Sequence, residues 1–239
     1  MQIRAIQTSL FRERQRLLPF LNRYLPPLPN KAIVVVTSKV VALSQGRTVA
    51  RTDQATKVRV IKRESSLAIR TPHTWLTLKD GLLLPSAGVD ESNARGKLVL
   101  LPLDSFGAAG RIRHYLMARR QLRHLGVIIT DSRCLPLRAG TVGIALGYAG
   151  FKGLRNYVGT TDLFGRVMKI SRLDVADSLA TAAVLVMGEG SERQPLAVVT
   201  KAPVEWADTV QSHELKIDLK DDMYGPLLRP LLRLRNSSG

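Results

Sequence analysis

A chain of 239 residues with 45% apolar and 23% charged residues can bury a substantial core, as one large domain or two intimately joined halves, and lacks the composition of a disordered chain. Lys and Arg outnumber Asp and Glu 36 to 19, and the net charge of +17 attracts polyanions of any kind, nucleic acid or highly anionic small molecules alike. Aromatic residues at 5% argue against single-strand stacking platforms, and the lone Cys134 excludes an intramolecular disulfide and a cysteine-based zinc site.

In chain order, residues 2–7 read as a short strand and 12–25 as a helix interrupted or started late by Pro19, then stopped by Pro26-Pro27-Leu28-Pro29. Ala32–Thr37 is a β-branched run, the pattern of a buried central strand, and it delivers Ser38 and Lys39 at its end. Trp75–Lys79 and Leu82–Leu84 flank Asp80-Gly81, whose two residues favour positive φ and so predict a two-residue hairpin. Next comes a polar turn, Ala87-Gly88-Val89-Asp90-Glu91-Ser92-Asn93, between two apolar runs. A helix is expected over 106–123, with Arg111, Arg113, Arg119, Arg120 and Arg123 forming a solvated basic face that includes His114 and His124.

Gly126–Thr130 predicts a buried strand that Asp131 and Ser132 end. The glycines at 140, 143, 147 and 150 do not match a dinucleotide fingerprint and point to a strand with close backbone approach. Residues 174–187 predict a buried apolar helix, capped by Gly188-Glu189-Gly190-Ser191, and Pro195–Val199 a further strand. Mixed strands, helices and hairpins imply an α+β fold, with mixed and antiparallel sheets and packed helices. No run approaches the roughly 18 apolar residues of a membrane span and no signal-peptide core stands at the N-terminus, so a cytoplasmic protein is expected.

Three carboxylates, Asp90, Asp131 and Glu189, thus stand at the ends of apolar elements, a pattern that suits a divalent metal. Plain structural roles compete for each. An Asp after a strand serves as a turn or helix N-cap, Glu189 as a solvated C-cap residue, Asp162 and Arg166 as an ion pair, and Ser38 with Lys39 as the start of a helix.

Taken together, Thr37-Ser38-Lys39 with Gln45-Gly46-Arg47, the 87–93 turn, Gly126–Asp131, Gly159-Thr160-Thr161-Asp162-Leu163-Phe164-Gly165-Arg166, and Val175-Ala176-Asp177 through Gly190 resemble the coenzyme F420-0:γ-glutamyl ligases over about residues 1–205. The resemblance implies one ligase-like domain over 1–205 and a basic extension over 206–239, packed on it or partly flexible. It implies GTP (or ATP) as co-substrate, Mn²⁺ or Mg²⁺ and K⁺ as ions, L-glutamate and a deazaflavin or folate acceptor as substrates, and a homodimer, for which apolar Thr141–Ala149 offers added surface. Nucleic acid remains an alternative partner. The resemblance makes Asp90, Asp131, Ser132 and Glu189 metal ligands. It assigns nucleotide contacts to Leu10, Phe11, Ser38, Lys39, Asn93 and the Met187–Gln194 turn, including Gly188, Gly190 and Ser191. Lys39, Arg138 and Arg166 become the phosphate or carboxylate clamps of an acyl-phosphate mechanism.

The chain departs from the family pattern where Leu43 replaces a lysine, where Ser132-Arg133-Cys134-Leu135-Pro136 replaces a Thr-x-Gly-Arg-Pro run, and in a short 50–80 region. These departures keep open a second reading, a non-catalytic basic scaffold that retains the fold and binds nucleic acid.

Overall fold

The computed structural model describes residues 1–51, 53–94 and 96–233. The chain opens with β1 (Gln2–Ile6), α1 (Leu17–Tyr24), β2 (Ala32–Thr37) and α2 (Ser38–Ser44). Then follow β3 (Thr48–Ala50), α3 (Gln54–Glu64), β4 (Leu67–Arg70), β5 (Trp75–Lys79), β6 (Leu82–Pro85) and β7 (Lys97–Val99). The remainder comprises α4 (Ser105–Arg120), β8 (Leu125–Cys134), β9 (Thr141–Ala149), β10 (Leu154–Asn156), β11 (Arg172–Asp174), α5 (Val175–Met187), β12 (Leu196–Thr200) and α6 (Gly225–Arg233). This is an α+β fold with mixed and antiparallel sheets. No helix among the described residues is long and apolar enough to cross a membrane.

The chain divides into two compact units, Met1–Arg47 with Pro102–Glu214, and Thr48–Leu101 with the described stretch from Leu215 on. The last residues of the basic tail, including Arg235, lie outside the described residues.

In the first unit one five-stranded sheet runs in the order β1-β12-β2-β8-β9. Only β2 and β8 are parallel neighbours, in register from Ala32↔Leu125 to Thr37↔Thr130. Both faces of β2 are buried, which is why its sequence is apolar without alternation. Val34 and Val36 pack with Phe20 and Leu21 of α1 and Ile112 and Leu116 of α4, while α5 packs on the sheet against β9, β1, β8 and β12. Helix α1 starts at Leu17, so Pro19 falls in its first turn, where a missing N–H costs nothing.

Three expectations need correction. Strand β8 does not end at Asp131 and Ser132: it continues to Cys134, because β9 pairs along it through Asp131↔Ile144, Ser132↔Gly143 and on to Cys134↔Thr141. Helix α5 is buried on one side only, since Leu185 and Val186 near its end are 83% and 44% exposed. The Thr141–Ala149 run is packed against α4 and α5 of its own unit, so it offers no spare apolar surface.

Basic residues on α4 are also less solvated than expected. Arg113 donates to the Leu125 carbonyl at 2.9 Å and to Asp208 at 2.7 Å, and Arg120 donates to the Asn22 and Leu25 carbonyls that end α1. Two arginines are therefore internal struts. His124 lies against the Trp206 ring, while His114 is exposed.

The second unit holds a β3-β7 pair and a three-stranded β4-β5-β6 sheet, with Val60 and Ile61 of α3 packed on Ala87, Val89, Leu98 and Leu100. Asp80 and Gly81 join β5 to β6 with φ of 53° and 85°, the mirror-image turn that strand twist favours.

Candidate active site

The two parallel strands bring their carboxyl ends together. Where β2 stops at Thr37 and α2 begins with Ser38 and Lys39, the neighbouring β8 carries Thr130, Asp131 and Ser132. Such strand ends are where open sheets with helices on both faces present ligand sites, because the loops beyond them are free to vary. Ser38 is buried and Lys39 half-buried, so the two do begin a helix, and begin it at this edge.

A third segment reaches the same edge from α5. The helix stops at Gly188, whose φ of 81° and ψ of 165° suit glycine, and whose added Cβ would stand 2.5 Å from the Glu192 carboxyl carbon. Glu192 folds the turn by accepting the Gly190 N–H at 2.8 Å. Glu189 thereby meets strand β8, and its Oε1 accepts a short hydrogen bond from Ser132 Oγ. It is more than a solvated cap. The turn is pinned to the sheet by Thr8 N–H on the Arg193 carbonyl at 2.9 Å and Thr37 N–H on the Pro195 carbonyl at 3.0 Å.

Asp131 is not a helix cap either. It lies inside β8, and its Oδ1 accepts the Ser132 N–H at 2.8 Å. Asp131, Ser132 and Glu189 together supply two carboxylates and a hydroxyl, the hard oxygen donors that Mg²⁺ and Mn²⁺ take, and the Ser132–Glu189 contact has already brought two of the three to one point. These residues fit a divalent cation. Among the described residues no group of three or more His, Cys, Asp or Glu side chains stands assembled as a cation cage.

Asp90 and Asn93 belong to the second unit, where Asp90 bridges Val99 through the main chain and holds the next turn by accepting the Ser92 N–H at 2.7 Å and its hydroxyl at 2.9 Å. Asn93 is exposed with a left-handed φ of 53°. Leu10 is 59% exposed, while the Phe11 ring stands edge-on to Phe20, 4.8 Å between centroids. Arg138 and Arg166 occupy separate exposed loops. Asp162 engages Arg166 through the backbone N–H at 2.9 Å, so the expected ion pair is a main-chain turn. A cavity of about 730 Å³ on α4, lined by Leu18, Arg111, His114 and Tyr115 among others, contains none of the expected residues.

A family profile described as F420-0:Gamma-glutamyl ligase matches residues 6–201, from the end of β1 to the residue after β12. The chain belongs to the F420-0:gamma-glutamyl ligase family. Two proteins named Coenzyme F420:L-glutamate ligase from strains of Methanococcus maripaludis are 33% identical over 200 residues, covering 76% of this chain and 80% of the relative, and 31% identical over 214, covering 82% and 85%. One of the same name from Methanothermobacter thermautotrophicus is 37% identical over 176 residues, 72% of this chain and 65% of its own.

Behind the edge lies a polar cluster that sequence reasoning in this ligase-family member missed. Asp174 caps α5 by accepting the Asp177 N–H at 2.9 Å, and Asp177 Oδ1 in turn accepts the Ala145 N–H at 2.9 Å. Burial first, and then the Asp177 charge, push the Asp174 carboxyl up to about 6. Burial raises Asp177 as well, against the pull of the Ala145 N–H and the Arg133 guanidinium. Tyr148, buried and donating to Glu214 Oε2 at 2.7 Å, is held above the usual phenol range by burial and that carboxylate. The readable signal was an Asp-x-x-Asp pair opening an alanine-rich helix, the spacing of a cap and its third residue.

Proposed function

We propose that this chain joins L-glutamate, through its amine, to a carboxylate of an anionic coenzyme acceptor, a deazaflavin or a folate, at the expense of a purine nucleoside triphosphate, GTP or ATP. Family membership across residues 6–201, together with the Ser132–Glu189 contact at the edge where β2 ends, supports this reading most strongly.

Amide formation in water needs an activated carboxylate. The γ-phosphoryl group passes to an acceptor carboxylate oxygen, leaving nucleoside diphosphate and an acyl phosphate. The glutamate amine then attacks the acyl carbon, orthophosphate departs with the carboxylate oxygen, and the amine gives up a proton. Little covalent work falls to the protein, whose task is to gather and neutralise anions. Lys39, at the head of α2, clamps phosphate as a point charge; Ser38 and the Met187–Ser191 turn line the nucleotide; Arg138 and Arg166 offer bidentate forks to carboxylates or phosphates. Asp131, Ser132 and Glu189 would hold Mg²⁺ or Mn²⁺, which would supply charge neutralisation on phosphate oxygens. The net charge of +17 draws these anions in.

The reading includes a homodimer. Its support is the exposed apolar surface of the loop between β10 and β11, where Leu163, Phe164 and Ile170 are 98%, 95% and 88% exposed, surface that a second copy would cover. Sedimentation that finds only a 26.4 kDa species at micromolar concentration would contradict the dimer. The activity is tested by orthophosphate release, with GTP and ATP in parallel, in the presence of Mn²⁺. Release should require glutamate and acceptor together; nucleotide left intact with every acceptor, alongside salt-sensitive binding of RNA, would replace the ligase reading with the scaffold one.

A further inference from the structure

The register between β8 and β9 slips once. Ile129 faces Gly147 and Thr130 faces Ala145, so Leu146 is an extra residue, a β-bulge one step before Asp131. A bulge interrupts the ladder, and side chains take up the main-chain groups beside it. Thr130 Oγ1 donates to the Ile144 carbonyl at 2.9 Å, Asp177 Oδ1 accepts the Ala145 N–H at 2.9 Å, and Thr181 Oγ1 donates to the Gly143 carbonyl at 2.6 Å.

Asp177 and Thr181 both belong to α5, one turn apart on the same side of the helix. Gly143, to which Thr181 is bonded, is the residue paired with Ser132. It has no room for a side chain, since an added Cβ would stand 2.6 Å from both the Ala180 carbonyl oxygen and Val184 Cγ2. Helix α5 is therefore seated directly on β9, opposite Ser132, and its C-terminal end carries Glu189 back to that same Ser132 hydroxyl.

The apolar face of α5 has no directional hold on the sheet. Ala176, Leu179, Ala180 and Ala183 are buried, but small apolar contacts of this kind leave the sliding of the helix along the strand weakly specified. The Val175 and Ala176 N–H groups hold the first turn on the Gly153 carbonyl at 2.8 and 3.2 Å, and the Asp177 and Thr181 contacts, directional as well, lock the helix on β9 itself. Displacement of α5 by even a fraction of its rise per residue, about 1.5 Å, would carry the Glu189 turn with it and part the carboxylate from Ser132.

We propose that Asp177 and Thr181 are positioning residues which clamp α5 in register on β9 and thereby hold Glu189 against Ser132. The consequence for metal affinity rests on the ligand set proposed above; the clamp itself does not.

Two readouts on the purified 239-residue chain separate the two. Hydrogen exchange of the peptide spanning Gly188–Glu192, without added metal, should speed up in Asp177→Ala and Thr181→Val and return to the wild-type rate in Asp177→Asn and Thr181→Ser, which keep the acceptor and the donor. Unchanged exchange in Ala and Val variants that remain folded overturns the clamp. Titration with MnCl₂ by calorimetry should show affinity about tenfold weaker in Asp177→Ala and Thr181→Val, and restored in the conservative pair, as when a group that orients a ligand is lost. A merely structural role would lower the melting temperature and leave the affinity of the folded variants unmoved, which also overturns the proposal. Should wild-type protein fail to bind Mn²⁺ while the exchange pattern holds, the metal reading falls and the clamp stands. Where Asp177→Ala does not fold, Thr181→Val carries both measurements.

Discussion

Two regions present an aspartate near the end of an apolar strand, and the fold treats them differently. Asp131 lies within a ten-residue strand, flanked by the parallel β2 and the antiparallel β9, beside a bulge whose main-chain groups are taken up by Thr130, Asp177 and Thr181. Asp90 sits at an isolated bridge in the second unit, and its two oxygens hold the N–H and hydroxyl of Ser92. The first carboxylate is placed by tertiary structure and the second organises its own turn. Similar local sequence therefore leads to different mechanical roles, decided by what packs around it.

The widest separation between the regions should come from charge removal. Asp131→Asn keeps shape and the bond to the Ser132 N–H, and should lower Mn²⁺-dependent ligation roughly a hundredfold or more with an unchanged circular dichroism spectrum. Asp90→Asn likewise preserves the Ser92 turn, because an amide oxygen still accepts. Mn²⁺ affinity should hold, as the ligand set Asp131, Ser132 and Glu189 requires, and weaker binding would add Asp90 to that set.

Lys39→Ala comes next. No ammonium group stands at position 43 in α2, where the chain has Leu43, so loss of Lys39 should weaken nucleotide affinity more than tenfold, the 1.5–3 kcal/mol or so of a charged hydrogen bond. An unaltered dissociation constant in calorimetry would remove Lys39 from the site.

Two glycines sharpen the contrast between clamped and open structure. Gly143→Ala forces a methyl group into the α5 backbone and should cost about 1–3 kcal/mol in chemical denaturation. Gly110→Ala, in the middle of α4 with nothing within 4 Å of its added Cβ, should stabilise by about 0.5–1 kcal/mol. Equal effects at the two positions would mean that α5 is not tightly seated.

An effect of similar size to that at Gly110 concerns pH. Asp174 is raised from 3.8 to about 6 on folding, so its contribution is full below about pH 4 and is lost as pH rises through about 6. Asp174→Asn still caps α5 and abolishes this loss. Relative to wild type it should gain about 1 kcal/mol between pH 4 and 7, less than the full shift implies because water screens a partly exposed group. Parallel pH–stability curves for the two proteins would contradict the assignment.

Much of this was legible in the sequence, for physical reasons. The β-branched run of β2, the Asp80-Gly81 turn and the apolar α5 carry their periodicity or φ preference locally, and their boundaries fall within a residue or two of expectation. The glycines of β9 announced close approach, which Gly143 and Gly147 realise against α5 and α4. Other features were out of reach because they are long-range. That β8 continues through Asp131 depends on β9 pairing with it, and that Arg113 and Arg120 serve as struts depends on carbonyls 12 and 95 to 98 residues away. Asp177 stood in a quoted motif without a role, since its partner is a backbone N–H exposed only by a bulge.

The most direct measurement of the central claim is mass spectrometry of the acceptor after incubation with isotopically labelled glutamate, GTP or ATP, Mn²⁺ and a panel of deazaflavin and folate carboxylates. The account predicts an acceptor heavier by one labelled glutamyl residue in wild-type reactions and not with Asp131→Asn. No labelled product from any acceptor with the folded wild-type chain, or equal product from the Asp131→Asn variant, would contradict it.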